Sequence, residues 1–171
     1  MPGSNFQSHQ PVVRVQLSFV DHALEAAALG GVLLLGFLLY AFWPALPDIV
    51  PLLFSATGEV DGRGDKDTML VLSAMVAFLY IALSIANFFP HRFNYPWRIT
   101  EKNAARQYRI ATCAMRWIKA EIVWLFTYIQ WMIIQVATGA ASGMGTTFYP
   151  LSLALVNVTV GLFFVKGYMA R

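Results

Sequence analysis

The sequence predicts an all-α fold: an integral membrane four-helix bundle with an interfacial amphipathic helix between spans two and three. Only 12% of its 171 residues are charged, and the mean hydropathy is +0.58. An ordinary soluble domain carries about 25% charged residues. Four apolar segments have about the 20 residues that a helix needs to cross a bilayer, and the segments that connect them differ in charge. These observations indicate that lipid covers much of the molecule.

The chain divides into a short N-terminal segment, residues 1–22, and a membrane domain, residues 23–171. We expect the four spans at about residues 23–45, 69–89, 118–138 and 147–165. Each should be helical, because hydrocarbon offers no other partner to the backbone amides of an open chain. The first span is longer than the apolar core of a signal peptide, so we expect it to remain in the membrane.

The charges of the connecting segments predict the orientation. Residues 46–68 carry five carboxylates and two cations, a net charge of −3, whereas residues 90–116 carry six cations and one carboxylate, a net charge of +5. Cytoplasmic loops are the ones rich in Lys and Arg. We therefore expect both termini on the cytoplasmic side and residues 46–68 outside.

The stretch LPDIVPLLFSATGEVDGRGDK, residues 46–66, combines helix-ending prolines with glycines that permit positive φ. It resembles the signature loop of the SdpI-like membrane family. Leu53 stands where that family usually has His, so no metal or proton chemistry is carried over to this position. The residues that match the signature are Pro47, Asp48, Pro51, Phe54, Gly58, Glu59, Asp61, Gly62 and Lys66.

The resemblance extends from about residue 23 to the C-terminus, and residues 93–119 resemble the segment after the second span of that family. It implies a helical, multi-pass protein of the cytoplasmic (inner) membrane of a bacterium. In the founding members it implies immunity to a membrane-active peptide toxin and signalling to a cytoplasmic repressor. Immunity proteins of that type carry additional spans that this chain lacks.

A basic amphipathic helix is expected between spans two and three. Thr100 is a suitable N-cap for a helix that runs to Arg116. Four cations of that helix fall within about 80° of arc. Such a stripe suits anionic lipid headgroups, or a cytoplasmic partner as the alternative. The basic stripe consists of Lys102, Arg106, Arg109 and Arg116.

Aromatic and polar residues share one face of the third span. Polar groups in a span usually face the bundle interior or a cavity, so we expect this face to be buried by packing. The alternatives are a groove for a hydrophobic ligand, a lipid tail or a peptide, and an ion path. If this face is buried, the Glu121 carboxylate needs a cation beside it, and Lys166 at the end of the fourth span is the expected partner. The face, called here the aromatic face, comprises Trp117, Glu121, Trp124, Tyr128, Trp131 and Gln135.

No catalytic triad, H-E-x-x-H motif or phosphate-binding loop is present, so we expect no enzymatic activity and no cofactor. The external carboxylates lack EF-hand spacing, so we expect no metal site. The first hypothesis is a non-catalytic SdpI-like protein in envelope protection or sensing. The alternatives are an accessory or structural subunit of a larger membrane complex and, third, a small transporter. The expected partners are the lipid bilayer, other membrane protein subunits or a membrane-active peptide, and not nucleic acid.

Overall fold

Four long helices dominate the structure, a computed structural model that describes residues 10–171. Each helix is long and apolar enough to cross a membrane, which confirms the prediction of a mostly helical protein with four candidate membrane spans. The first nine residues of the predicted N-terminal segment lie outside the described part. The helices are α1 (Phe19–Phe42), α2 (Thr68–Ala86), α3 (Ala104–Ala137) and α4 (Phe148–Met169).

The helix α3 is the centre of the bundle, because it packs against α1, α2 and α4. It approaches α1 closely at Gly31, where an added β-carbon would lie 2.6 Å from Val123 Cγ1. Thr127 donates a hydrogen bond to the carbonyl of Gly31 at the same crossing, at 3.2 Å. Small residues therefore let these two helices pack closely. The helix α4 is the least buried of the four.

The helix α3 is unbroken over 34 residues and therefore about 51 Å long. It contains neither Gly nor Pro, so nothing interrupts its backbone hydrogen bonds. The amphipathic helix expected from Thr100 to Arg116 is consequently not a separate element but overlaps the first part of α3. Thr100 does not cap it; the Thr100 N–H donates to the side chain of Asn103 at 2.8 Å, just before the helix begins. A hydrocarbon core about 30 Å thick cannot cover all of α3.

The helix α1 begins at Phe19 rather than at residue 23 because of a capping box. The Ser18 hydroxyl accepts from the Asp21 N–H at 3.4 Å, and the Asp21 carboxylate accepts from the Ser18 N–H at 2.7 Å. These bonds satisfy amides that the first turn of a helix leaves unpaired. Asp21 thereby becomes a first-turn residue of a membrane helix.

The connection between α1 and α2 is an antiparallel β-hairpin, so the fold is not purely α-helical. Its strands are β1 (Ile49–Phe54) and β2 (Val60–Asp65). Gly58 in the turn has a φ of 81°, as the sequence predicts for a glycine of this segment. Gly62 and Gly64, of which the same was expected, lie in β2 and do not have a positive φ. Val50 of β1 is fully buried in an apolar cluster with residues of α1 and α3. The hairpin is therefore packed onto the bundle.

The two connections at this end of the bundle contact one another. The carbonyl of Gly58 accepts from the Met144 N–H at 2.7 Å, so the hairpin lies on the turn between α3 and α4. We call this the hairpin end. The opposite end holds the start of α1, the start of α3 and the connection between α2 and α3, residues 87–103; we call it the basic end.

Candidate functional site

A buried lysine joins three helices near the basic end. Lys119 of α3 has a fully buried side chain. Its Nζ donates to Glu25 Oε2 of α1 at 2.5 Å and to Ser84 Oγ of α2 at 2.8 Å. The ammonium also lies 4.8 Å from the centre of the Tyr80 ring, a favourable cation–π distance. One cation thus holds α1, α2 and α3 together.

Arg116, nearly one turn from Lys119, bridges the two carboxylates of α1. Its Nη1 lies 3.2 Å from Asp21 Oδ1, and its Nε lies 3.2 Å from Glu25 Oε1. The carboxylates are four residues apart on α1 and the cations three apart on α3, so each pair lies on one helix face. Two negative charges balance two positive ones. We call Asp21, Glu25, Ser84, Arg116 and Lys119 the charged cluster.

The buried polar face of α3 continues toward the hairpin end. Thr127 is buried against α1, and Gln130 is fully buried. The Gln130 side chain donates to the Ser73 hydroxyl of α2 at 3.1 Å, while its carbonyl oxygen has no partner among the described residues. The face that α3 turns inward is therefore the one that carries Arg116, Lys119, Thr127 and Gln130.

The aromatic face is not the face buried between the helices. Trp117, Trp124 and Tyr128 are 40%, 45% and 40% exposed, and Trp131 and Gln135 are half-buried. The Trp124 indole donates to a backbone carbonyl of α1 at 3.0 Å, and the Tyr128 ring stacks on a phenylalanine of α4 with centroids 4.9 Å apart. The aromatic face therefore lies along the cleft between α1 and α4. Aromatic rings suit lipid as well as a core, so their repeat alone does not fix which side faces inward.

Glu121 and Lys166 do not form the expected ion pair. Glu121 Oε1 accepts from the Thr159 hydroxyl of α4 at 2.5 Å, and Glu121 Oε2 has no partner among the described residues. The expectation placed the basic end of α3 close to Glu121. However, α3 continues to Ala104, and the Gln107 side chain donates to the carbonyl of Gly167 at 2.9 Å. Lys166 is therefore near the level of Gln107, about 20 Å from Glu121 along the helix axis.

The basic stripe is dispersed. Lys102 precedes α3, and Arg116 is buried in the charged cluster. Arg106 and Arg109 remain on the surface of α3. Lys166 of α4 lies beside these two arginines, in one pocket with them. The cations that share a surface thus come from two helices, which the spacing within one helix did not reveal.

The loop motif builds the hairpin. Lys66 Nζ forms an ion pair with Asp48 at 2.9 Å, and the Lys66 N–H donates to the Asp48 carbonyl at 2.9 Å, so these two residues close the base. Gly58 forms the turn. Leu53 of β1 pairs with Gly62 of β2 across the hairpin. The remaining motif residues lie in or beside the strands: Pro47, Pro51, Phe54, Glu59 and Asp61.

An apolar cavity of about 500 Å³ lies beneath the hairpin. Side chains of β1, α2 and α3 form most of its wall, among them Leu52, Leu72, Phe126 and Ile129. Arg63 of β2 is the one charged residue in the lining, and within residues 10–171 it forms no ion pair. An apolar side chain or acyl chain with a polar head fits this chemistry.

The strand that borders the cavity is acidic. Asp61 and Asp65 lie on either side of Arg63 along β2, and all three are exposed, as are Glu59 and Asp67. None of these four carboxylates forms an ion pair with another described residue. The hairpin end therefore presents excess negative charge next to an apolar opening.

No three His, Cys, Asp or Glu side chains between residues 10 and 171 are arranged to hold a metal ion. Comparisons with protein-family models, with curated proteins and with solved structures find no match to this chain.

Proposed function

We propose that this is a non-catalytic protein of the bacterial inner membrane that protects or monitors the envelope by binding a membrane-active peptide at its hairpin end. One observation carries the proposal: an ordered acidic hairpin covers an apolar cavity beside the membrane helices. Recognition of an amphipathic peptide uses an apolar groove for its hydrophobic side chains and opposite charge for its polar ones. The hairpin end offers both.

The charge of the rim favours a cationic peptide. Asp61 and Asp65 flank Arg63 along β2. In the part of the chain that the structure describes, these three residues form no ion pair, and neither do Glu59 and Asp67. Charges at a rim act mainly on encounter rate and selectivity, while apolar burial supplies affinity. The positive charge of Arg63 repels a cationic ligand and attracts an anionic one, so substitution of Arg63 distinguishes these two ligand classes.

The proposal places the hairpin end outside the cell and both chain ends inside. The net charges of −3 on residues 46–68 and +5 on residues 90–116 support this orientation. The resemblance of residues 46–66 to the SdpI-like loop supports a role in peptide immunity. In this arrangement the first turns of α3, with Arg106 and Arg109, lie among the cytoplasmic headgroups.

The binding experiment uses the full chain in detergent micelles and a fluorescent synthetic helix of Leu and Lys. The double variant Asp61→Asn/Asp65→Asn should weaken binding at least about threefold, because it removes two attractive rim charges. Arg63→Gln should strengthen binding, because it removes a repulsive charge. Glu101→Gln is the matched control, since Glu101 is an exposed carboxylate at the basic end.

The opposite pattern would overturn the proposal. If Arg63→Gln weakens binding of the peptide, or if the asparagine variant binds as tightly as the parent protein, the acidic rim does not recognise a cationic ligand. Preference for an anionic amphiphile such as dodecyl phosphate would assign the cavity to a different ligand class.

A second candidate is an accessory subunit of a larger membrane complex. The exposed aromatic face supports it, because Trp117, Trp124 and Tyr128 leave an aromatic surface along the cleft between α1 and α4. Neighbouring subunits or pigments dock on such surfaces. This candidate predicts that purification from native membranes in mild detergent recovers a partner in fixed stoichiometry, and that Trp117→Ala releases it.

A further inference from the structure

A second pocket, of about 390 Å³, lies at the basic end between α3 and α4. Its lining is unusual in charge: Arg106, Arg109 and Lys166 are three of the five residues that form it, together with Ile110 and Met169. Two cations come from α3 and one from α4. The pocket is therefore a cationic cleft between two long apolar helices, with two apolar side chains in its lining.

The positive charge of this pocket is largely uncompensated. Within residues 10–171, Arg106 and Lys166 form no ion pair. Arg109 lies 3.9 Å from Asp21, whose nearer cation is Arg116 at 3.2 Å, and it also donates to the carbonyl of Gln16. Three cations in one cleft repel one another unless an anion lies between them. A phosphate group, with several acceptor oxygens, can bond to two or three such donors at once.

The surroundings indicate that the phosphate belongs to a lipid. The pocket is at the end of two helices that are long and apolar enough to span the membrane. Met169 beside it is 73% exposed, and Ile110 adds a second apolar contact. An acyl chain can therefore leave the cationic cleft along an apolar surface, whereas a soluble phosphate ester gains nothing from these two side chains.

We propose that Arg106, Arg109 and Lys166 form a binding site for the phosphate headgroup of an anionic membrane lipid, which joins α3 to α4 at the basic end. The helix α4 has the smallest buried fraction of the four spans. A lipid that contacts Arg106 on one helix and Lys166 on the other supplies a link between helices that the protein packs only lightly. Binding to the folded bundle alone stabilises it by mass action.

The test is thermal unfolding of the full chain in neutral detergent, with titration of phosphatidylglycerol, phosphatidylcholine or inorganic phosphate. Phosphatidylglycerol should raise the melting temperature in a saturable way, and the other two should not. Arg106→Gln and Lys166→Gln should each raise the apparent dissociation constant for phosphatidylglycerol about tenfold or more, the loss expected for one charged hydrogen bond. Lys166→Arg, which keeps the charge, should retain binding.

The control is Lys102→Gln, which removes a nearby cation that is not part of the pocket. Its apparent dissociation constant should match that of the parent protein. The proposal is wrong if phosphatidylcholine stabilises the protein equally, or if Lys102→Gln weakens binding as much as Lys166→Gln does. It is also wrong if inorganic phosphate gives the full stabilisation, because the ligand is then the free anion. Lipid-free variants are compared by size-exclusion chromatography to establish that each still folds.

Discussion

The substitution Glu25→Gln should destabilise the bundle, because the Lys119 ammonium then stays buried without the carboxylate that pairs with it. The Lys119 side chain is 0% exposed, and its other contacts, the Ser84 hydroxyl and the Tyr80 ring, are uncharged. Removing one partner of a buried ion pair costs about 3–5 kcal/mol. The Glu25 side chain is 34% exposed, so water screens part of the interaction and we expect about 3 kcal/mol. For a chain of this length that corresponds to a fall in melting temperature of about 6–12 °C.

The assay is a double-mutant cycle by thermal unfolding in detergent micelles. Lys119→Met keeps much of the lysine volume without its charge, so the double variant Glu25→Gln/Lys119→Met should recover most of the loss caused by Glu25→Gln. Recovery should be incomplete, because Arg116 also loses its contact with Glu25. Glu101→Gln, at an exposed position of the same end, should leave the melting temperature unchanged. If the two single effects simply add, Glu25 and Lys119 are not energetic partners and the charged cluster does not hold the helices together.

Three further predictions concern glycines and orientation. Gly31→Ala should cost about 1–3 kcal/mol by overpacking, whereas Gly30→Ala, whose β-carbon meets no neighbour, should not lower the melting temperature; equal effects would contradict the close helix approach. Gly58 and Gly139 both have a positive φ, so alanine at either position should cost about 1–3 kcal/mol of backbone strain. The two variants differ in that an added β-carbon at Gly58 would collide with the α3–α4 turn, whereas one at Gly139 would meet no neighbour. Gly58→Ala should therefore lower the melting temperature more, and equal losses would argue against docking of the hairpin. The cysteine of Ser55→Cys should react with a membrane-impermeant reagent in intact cells, while the native Cys113 stays protected. Labelling of Cys113 without labelling of the introduced cysteine would contradict the placement of the hairpin end outside the cell.

The number and approximate place of the spans could be predicted from the sequence, because hydropathy over about 20 residues depends on composition alone. The rotation of each span could not. Lipid is as apolar as the Trp117 and Trp124 rings, so their seven-residue spacing is equally consistent with a lipid-facing or a buried position. The signal that could have identified the buried face, and that the sequence prediction did not use, is the presence of Asp21 and Glu25 on one helix and of Arg116 on another.

The hairpin could not be predicted from the sequence either, because its second strand lacks the residues typical of strands. The glycines and prolines of residues 46–66 predict turns, and Gly58 does adopt positive φ. In β2 every second residue is exposed, namely Asp61, Arg63 and Asp65. In the sequence these charged residues alternate with Gly62 and Gly64 rather than with apolar residues. Glycine is depleted in strands, so local propensity argued against a strand. Packing of Val50 on the bundle outweighs that propensity, and the backbone hydrogen bond from Lys66 to Asp48 closes the base of the hairpin.

The most direct measurement of the proposed function is the growth-inhibitory concentration of a cationic amphipathic peptide for bacteria that express the protein. Cells with the parent protein should tolerate more peptide than cells without it. Cells with Asp61→Asn/Asp65→Asn, at the same membrane abundance, should lose most of that protection, because the acidic rim that attracts the peptide is neutralised. If the parent protein gives no protection, or if the asparagine variant protects as well as the parent, the hairpin end does not act as a receptor for cationic membrane-active peptides.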